Sequence, residues 1–205
     1  MGTDINGFVE CRCDHRLDDD GEPFWHAVAD LEHLLRDHQD HDAFRCLFGV
    51  RGRGPGEPPA ERRGLPGDVS DRTRAEYGEL GGHSASWITW AELEAVDWDG
   101  PLPAPDPHVH VYRRTPGGEW ERAGRGSEGT RFAEVAGLDA RAALLPGLSF
   151  PVGTEWRDGD LLFRVEPLTR RLLVREENWG TAWAVMRSLA ERHGGDLVRL
   201  VVWFT

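Results

Sequence analysis

The chain has 205 residues, and with 39% hydrophobic and 29% charged residues its composition excludes a disordered chain and suits a folded soluble protein. The formal net charge is −12 and arginine supplies all 24 basic residues, so we expect neither nucleic acid nor an anionic membrane as a partner, because both need a basic face. A basic protein partner fits this charge. We also expect no signal peptide, since the N-terminus lacks a basic region followed by an apolar run, and no membrane span, since there is no apolar run of about 18 residues.

Three cysteines bear on the cellular compartment and on metal binding. Cys11, Cys13 and Cys46 are an odd number without the spacing of a disulfide framework, which favours a reducing cytoplasm. With a histidine they could hold zinc. Their spacing matches no known zinc motif, however, and buried thiols are the simpler interpretation.

The histidines at 33–41 raise the same question. His38 and His41 would share a helix face, but no further ligand is spaced as in known zinc motifs, and a polar junction between helices also explains them. His108 and His110 would share one face of a strand and are most simply exposed. We therefore assign no metal site, and the sequence leaves any cofactor unknown.

Apolar spacing predicts regular structure along most of the first half. We expect strands at 3–13 and 24–28 that form a hairpin around a loop at 14–21, and helices at 30–36 and 40–50. Asp30 is a plausible N-cap of the first helix, because its side chain can accept hydrogen bonds from free amides of the first turn, and the aspartates at the start of the second suit the helix dipole. Asp68 or Ser70 can cap a further helix, which Gly81–Gly82 would end.

A capping box and two loops organise the middle of the chain. Thr89 and Glu92 have the spacing of a capping box, in which each side chain satisfies a free amide, and they predict a helix to about residue 97. Gly, Pro and Arg at about 51–66 predict a flexible surface loop, and the prolines at about 100–107 predict a second loop without regular structure.

The second half predicts mostly strands before a long helix and a last strand. They are strands at 108–113, 119–122, 161–165, 171–175 and 197–204, and a helix at 178–193. Asn178 is expected to cap the helix and Gly194 to end it. The nearly continuous apolar character of the last strand indicates a central strand buried on both faces, with the N-terminal strand as its natural neighbour.

Together these elements predict an α+β fold in a single domain spanning 1–205. We expect a mixed or largely antiparallel sheet that contains the N- and C-terminal strands and packs against the long C-terminal helix. Four large side chains near the C-terminus should lie in the core: Trp179, Trp183, Trp203 and Phe204.

Five short motifs along the chain carry a family resemblance. They are Met-Gly-Thr-Asp-Ile-Asn at 1–6, Phe-Gly-Val-Arg-Gly at 48–52, Arg-Gly-Leu-Pro-Gly-Asp-Val-Ser at 63–70, His-Ser-Ala-Ser-Trp at 83–87 and Val-Arg-Leu-Val-Val-Trp-Phe at 198–204. They resemble a family of uncharacterised proteins from phages and bacteria, whose N-terminus reads approximately Met-Gly-Cys-Asp-Ile-His. Thr3 and Asn6 depart from that pattern, so any role of the family's cysteine or histidine is lost here. The resemblance implies one domain over the whole chain and no assigned activity.

The residues beside Trp87 are the first candidate site. His83, Ser84 and Ser86 could hold a phosphate or ribose, or act in acid–base catalysis. On a straight strand the two serines would face away from the histidine, so convergence requires the backbone to turn. The alternative is that the serines satisfy turn and cap amides.

Two further pairs of residues are candidates for ligand binding. Asp4 and Asn6 lie on one face of the first strand, where they either face solvent or enter a cleft at the end of the sheet. Arg51 and Arg63 flank the Gly/Pro loop and could bind an anion with paired hydrogen bonds, or could be solvated loop residues.

Two hypotheses for function follow. The first is a non-catalytic acidic binding protein of phage or bacterial type in the cytoplasm, with a partner protein or small-molecule ligand. The alternative is a hydrolase or transferase that acts on a nucleotide-like or phosphorylated small molecule around His83, Ser84 and Ser86. Whether the protein is an enzyme stays open, since no known catalytic signature is present.

Overall fold

The computed structural model describes residues 4–17, 21–50, 54–126, 129–138 and 150–205. The chain groups into two compact units, each with its own hydrophobic core: a first unit of Met1–Trp98 with Arg170–Thr205, and a second unit of Asp99–Thr169. The sequence predicts a single domain with a flexible loop at about 51–66. The structure describes residues 54–66 of that loop, and they contain neither helix nor strand.

The described residues form helices and antiparallel sheets, as expected of an α+β fold. The strands are β1 (Ile5–Leu17), β2 (Pro23–Asp30), β3 (His83–Thr89), β4 (Pro101–Pro105), β5 (His110–Arg114), β6 (Trp120–Arg125), β7 (Glu155–Asp158), β8 (Leu161–Arg164), β9 (Pro167–Thr169) and β10 (Val198–Phe204). The helices are α1 (His41–Phe48), α2 (Asp71–Glu79), α3 (Trp90–Glu94), α4 (Gly129–Ala136), α5 (Arg170–Leu173) and α6 (Glu176–His193), with short 3₁₀ turns at Leu31–His33 and Gly195–Leu197. Within the described ranges, no helix has the length and apolar character needed to cross a membrane.

The first unit is built on an antiparallel sheet in the order β2-β1-β10-β3. All seven residues of β10 are buried, so its prediction as a central strand beside β1 is confirmed. Leu200 and Phe204 face the larger core, where α1 and α6 pack. Trp203 faces the other way and packs with Phe8 and Tyr77. The predicted α+β fold with an antiparallel sheet and a long C-terminal helix is therefore confirmed.

The long helix α6 ends where the sequence predicts but begins earlier. Gly194 adopts a φ of 102° and donates its N–H to the carbonyl of Ala190, as expected of a terminating glycine. The prediction that Asn178 caps the helix is wrong, because α6 already begins at Glu176. The Asn178 carboxamide instead accepts from the amides of Arg36 and Asp37, a contact across the fold that local sequence does not reveal.

Most of the predicted helix caps are confirmed. The side chains of the predicted caps Asp30 and Ser70 accept hydrogen bonds from first-turn amides of the elements that follow them, and Asp40, which was not predicted as a cap, does the same for α1. Thr89 and Glu92 form the complete capping box at the start of α3. That helix ends at Glu94, earlier than predicted.

Three predictions of secondary structure are wrong. The expected loop at 14–21 begins late, because β1 continues to Leu17 by pairing with β2. The 100–107 segment contains the strand β4. Among the described strands β4 pairs only with β9, so its other edge is unpaired and tolerates prolines, which have no N–H to donate. The 171–175 segment is helical, since the Val174 amide closes a turn onto the carbonyl of Arg170.

The second unit contains a four-stranded antiparallel sheet in the order β6-β5-β8-β7 and the paired strands β4 and β9. The predicted hairpin of β5 and β6 is confirmed. Val111, Phe132 and Phe163 form its core, with the two phenylalanine rings 5.6 Å apart.

Gly7 provides a test of the sheet, because β1 approaches β10 closely there. A Cβ at this position would clash with the carbonyl oxygen of Val201 and lie 3.0 Å from the Cα of Val202. We expect Gly7→Ala to lower the free energy of unfolding by about 3 kcal/mol, since backbone must move to relieve the clash. Gly67→Ala, where no atom lies within 4 Å of the added Cβ, is the control and should change it by less than about 0.5 kcal/mol in urea denaturation. Equal effects of the two substitutions would contradict this register.

Candidate functional site

Ser86 is buried and joins β3 to the chain before Arg63. Its hydroxyl accepts a hydrogen bond from the backbone amide of Arg63 at 3.2 Å and donates one to the carbonyl of Ala60, also at 3.2 Å. The Ser86 hydroxyl therefore holds this segment on the sheet through hydrogen bonds to the backbone. This agrees with the alternative in which the serines satisfy backbone amides.

Arg63 is committed to an internal ion pair. Its guanidinium donates to both oxygens of Glu92, at 2.9 and 2.7 Å, and lies 4.7 Å from the ring centroid of Trp87. Burial alone would raise the pKa of Glu92, but hydrogen bonds from Arg63 and Thr89 outweigh it and lower that pKa. The Arg63 charge is thus neutralised inside the molecule.

His83 and Ser84 lie at the exposed start of β3, where the pairing with β10 shifts register. Ser84 has a φ of 55°, a left-handed conformation unusual for a residue other than glycine. The backbone turn that convergence required is therefore present. Nδ1 of His83 lies 3.1 Å from the Ser84 hydroxyl, whereas the Ser86 hydroxyl is buried, so the two serines do not share one pocket.

Asp4 and Asn6 tie the two ends of the chain together. The Asn6 carboxamide donates to the carbonyl of Asp4 and, at 2.9 Å, to the hydroxyl of Thr205. The Asp4 carboxylate accepts from the side chain of Gln39 at 3.0 Å. The remaining candidate, Arg51, lies outside the described residues. The structure therefore groups Arg63 with Ser86, Trp87 and Glu92, His83 with Ser84, and Asp4 with Asn6.

A buried guanidinium on the sheet escaped sequence analysis. Arg199 of β10 is 3% exposed, and it donates to Glu10 of β1 at 2.9 Å and to Asp68 at 2.8 Å. Its guanidinium lies 3.9 Å from the ring centroid of Trp25, and Glu10 also accepts from the hydroxyl of Thr73. The available signal was Arg199 itself, the single charged residue of the otherwise apolar β10.

The prediction that His110 is exposed is wrong, because it lies at the centre of a buried polar cluster in the second unit. Its Nε2 is 2.8 Å from the carboxylate of Asp106, which also accepts from Arg125 at 2.6 and 2.9 Å. Its Nδ1 lies 2.7 Å from Arg122 and 3.2 Å from Glu166. The charged partners lie on neighbouring strands and turns, so alternation along β5 alone did not reveal the burial.

The prediction that His108 shares a strand face with His110 is wrong. The Asp106 side chain accepts from the His108 amide at 3.0 Å, forming a turn that delays the start of β5 until His110. His108 is exposed. The two histidines therefore lie in different environments.

A cavity in the first unit offers a site that the sequence did not indicate. It has a volume of about 300 Å³. Its walls come from α3 with the residues that follow it, from α5 with the residue that follows it, and from α6. We call it the tryptophan pocket, and its lining residues are Trp90, Leu93, Glu94, Trp98, Arg171, Val174, Glu176, Trp183 and Arg187. The residues from α3 follow helical spacing, as do those from α6, so one face of each helix forms a wall.

Three indoles dominate the tryptophan pocket. The rings of Trp98 and Trp183 are 6.5 Å apart, and the Trp98 indole N–H donates to the carbonyl of Leu93 at 3.3 Å. The Arg187 guanidinium lies 5.7 Å from the ring centroid of Trp90. The pocket therefore presents fixed aromatic surface with charged groups around it.

A second cavity of about 420 Å³ lies beside the ion pair of Arg63 and Glu92. It contains no aromatic side chain, and its lining residues are Pro59, Glu92, Ala95, Val96, Asp97 and Arg170. The Arg170 guanidinium donates to the carbonyls of Asp97 and Glu57, at 3.3 and 2.9 Å. Its cationic group is thus occupied by backbone acceptors.

Metal binding and relatives give no further guide to function. In the part of the chain that the structure describes, no three His, Cys, Asp or Glu side chains are grouped closely enough to hold a metal ion. All three cysteines are buried and none forms a disulfide, and burial, together with Cys13, raises the pKa of Cys11 to about 11. No family model, curated protein or solved structure matches the chain.

The Asp106 cluster predicts a defined loss of stability in acid. Burial alone would raise the pKa of Asp106, but hydrogen bonds from His110, Arg125 and the His108 amide lower it from 3.8 to about 2. A lowered carboxyl pKa stabilises the folded state above the unfolded value and loses that contribution as pH falls through the folded value. We expect a loss of about 2 kcal/mol between about pH 4 and pH 2 from this group.

The measurement is urea denaturation across this pH range for the wild type and Asp106→Asn. The asparagine cannot titrate, so the difference between the two free energies of unfolding should shrink as the pH falls. A difference that stays constant from pH 4 to pH 2 would contradict the assigned pKa.

Proposed function

We propose that this is a non-catalytic, acidic binding protein of phage or bacterial type, which acts on a basic partner protein in the cytoplasm. The observation that carries the proposal is the tryptophan pocket, whose walls combine three indoles with two glutamates and two arginines. Trp is among the residues most often found as energetic anchors of protein interfaces, since it buries a large area with little loss of conformational freedom.

The engagement of the predicted polar residues supports binding over catalysis. Ser86 both donates and accepts inside the fold, and Arg63 is paired with Glu92. A phosphorylated substrate needs cationic donors that are free to bind it. Arg63 cannot supply such a donor, and Ser86 cannot supply its hydroxyl, without breaking an existing contact.

Charge and cysteine chemistry support the partner class and the compartment. A net charge of −12 attracts basic proteins and raises the rate at which they meet the molecule. Cysteines stay out of disulfides in a reducing compartment, and none of the three forms a disulfide here.

The second candidate is a hydrolase or transferase that acts on a nucleotide-like or phosphorylated small molecule. The observation that favours it is the exposed pair of His83 and Ser84, with 3.1 Å between Nδ1 and the hydroxyl and a left-handed backbone at the serine. A histidine at hydrogen-bond distance can activate a hydroxyl, and strained backbone often occurs at functional sites.

One calorimetric titration distinguishes the two functions. At physiological ionic strength, we expect the chain to bind an arginine-rich peptide, and to bind neither a glutamate-rich peptide of equal length nor ATP. His83→Ala should change the dissociation constant for the basic peptide by less than about twofold, because His83 does not line the tryptophan pocket. Binding or turnover of ATP that disappears in His83→Ala, together with no binding of the basic peptide, would instead establish the enzyme.

A further inference from the structure

The chain holds two of its own guanidinium groups with one recurring arrangement. Arg199 lies 3.9 Å from the ring centroid of Trp25 and pairs with carboxylates. Arg63 lies 4.7 Å from the ring of Trp87 and pairs with the carboxylate of Glu92. In both places an indole supports the flat face of the guanidinium while a carboxylate accepts its N–H groups.

The tryptophan pocket contains the same kinds of group, and two arginines of the chain also line it. Trp98 and Trp183 supply indoles, and Glu94 and Glu176 supply carboxylates. Neither glutamate has a hydrogen-bond or ion-pair partner among the described residues. These carboxylates therefore remain available to an incoming cation.

Close packing along α6 places one of these carboxylates. A Cβ added at Gly180 would lie 2.7 Å from Oε1 of Glu176, so the Glu176 side chain folds along the helix. It points toward the next turn, where Trp183 lies in the pocket wall. The glycine thus leaves room for the carboxylate beside the indole.

We propose that the tryptophan pocket binds an arginine side chain of the basic partner, an inference that rests on the function proposed above. The guanidinium would stack on Trp98 or Trp183 and donate to Glu94 or Glu176. Arginine fits better than lysine, because a planar guanidinium can stack and form paired hydrogen bonds at once.

Arg187 separates this proposal from an anion site. Its guanidinium already lies over Trp90, so it occupies that indole and repels a second cation. Removing it should therefore strengthen the binding of an arginine ligand. An anionic ligand would depend on Arg187 and would bind more weakly without it.

The experiment uses the full chain and a peptide with arginine as its only charged residue. Binding is followed by tryptophan fluorescence, and two further peptides replace the arginine with citrulline, which is uncharged, or with lysine. We expect the arginine peptide to bind most tightly and the citrulline peptide to bind at least about tenfold more weakly.

Matched variants locate the site. Glu94→Gln/Glu176→Gln should weaken binding of the arginine peptide about tenfold, because the guanidinium loses its charged acceptors. The control Glu177→Gln/Glu191→Gln removes the same charge from α6 outside the pocket and should have less than about a twofold effect. All four glutamates are exposed, so both proteins should fold, which circular dichroism checks.

The outcomes separate the two levels of the argument. If the arginine-rich peptide binds the wild type and both double variants equally, or if Arg187→Ala weakens binding, the pocket assignment is overturned and the proposed function stands. If no basic peptide binds the wild type, both fall. A selective loss in Glu94→Gln/Glu176→Gln, with tighter binding by Arg187→Ala, supports the pocket.

Discussion

The burial of β10 on both faces is the constraint on which the first unit depends. This strand lies between β1 and β3, with α6 packed on one face and Tyr77 of α2 packed against its Trp203 on the other. Arg199 is its one charged residue, and a buried guanidinium without partners would cost several kcal/mol. Glu10 and Asp68 supply those partners, and through Asp68 they attach the segment before α2 to the sheet.

The sequence predicts those parts of the fold that depend on local pattern. The apolar run of β10 and the spacing of Thr89 and Glu92 each specify their outcome within a few residues. Asn178 and His110 were placed wrongly because their partners lie far along the chain or on other strands. The tryptophan pocket was missed for the same reason, since its walls come from separate segments and periodicity describes one segment at a time.

The proposed function follows from how the molecule uses arginine. With 24 arginines and no lysine, the chain repeatedly stacks guanidinium groups on indoles and neutralises them with carboxylates. In the tryptophan pocket the indoles and carboxylates are present together with Arg171 and Arg187, and the Arg187 guanidinium lies over Trp90. An acidic protein with such a pocket is suited to recognise a basic partner by contacts that the fold already employs internally.

The most direct measurement of this account is the NMR spectrum of the indole N–H groups during titration with the arginine peptide. The nine tryptophans give separate signals distributed over both units. The account predicts that the signals of Trp90, Trp98 and Trp183 move during the titration, while those of Trp25 and Trp87, which do not line the pocket, stay in place. Movement of Trp25 or Trp87 without movement of Trp98 and Trp183 would contradict it.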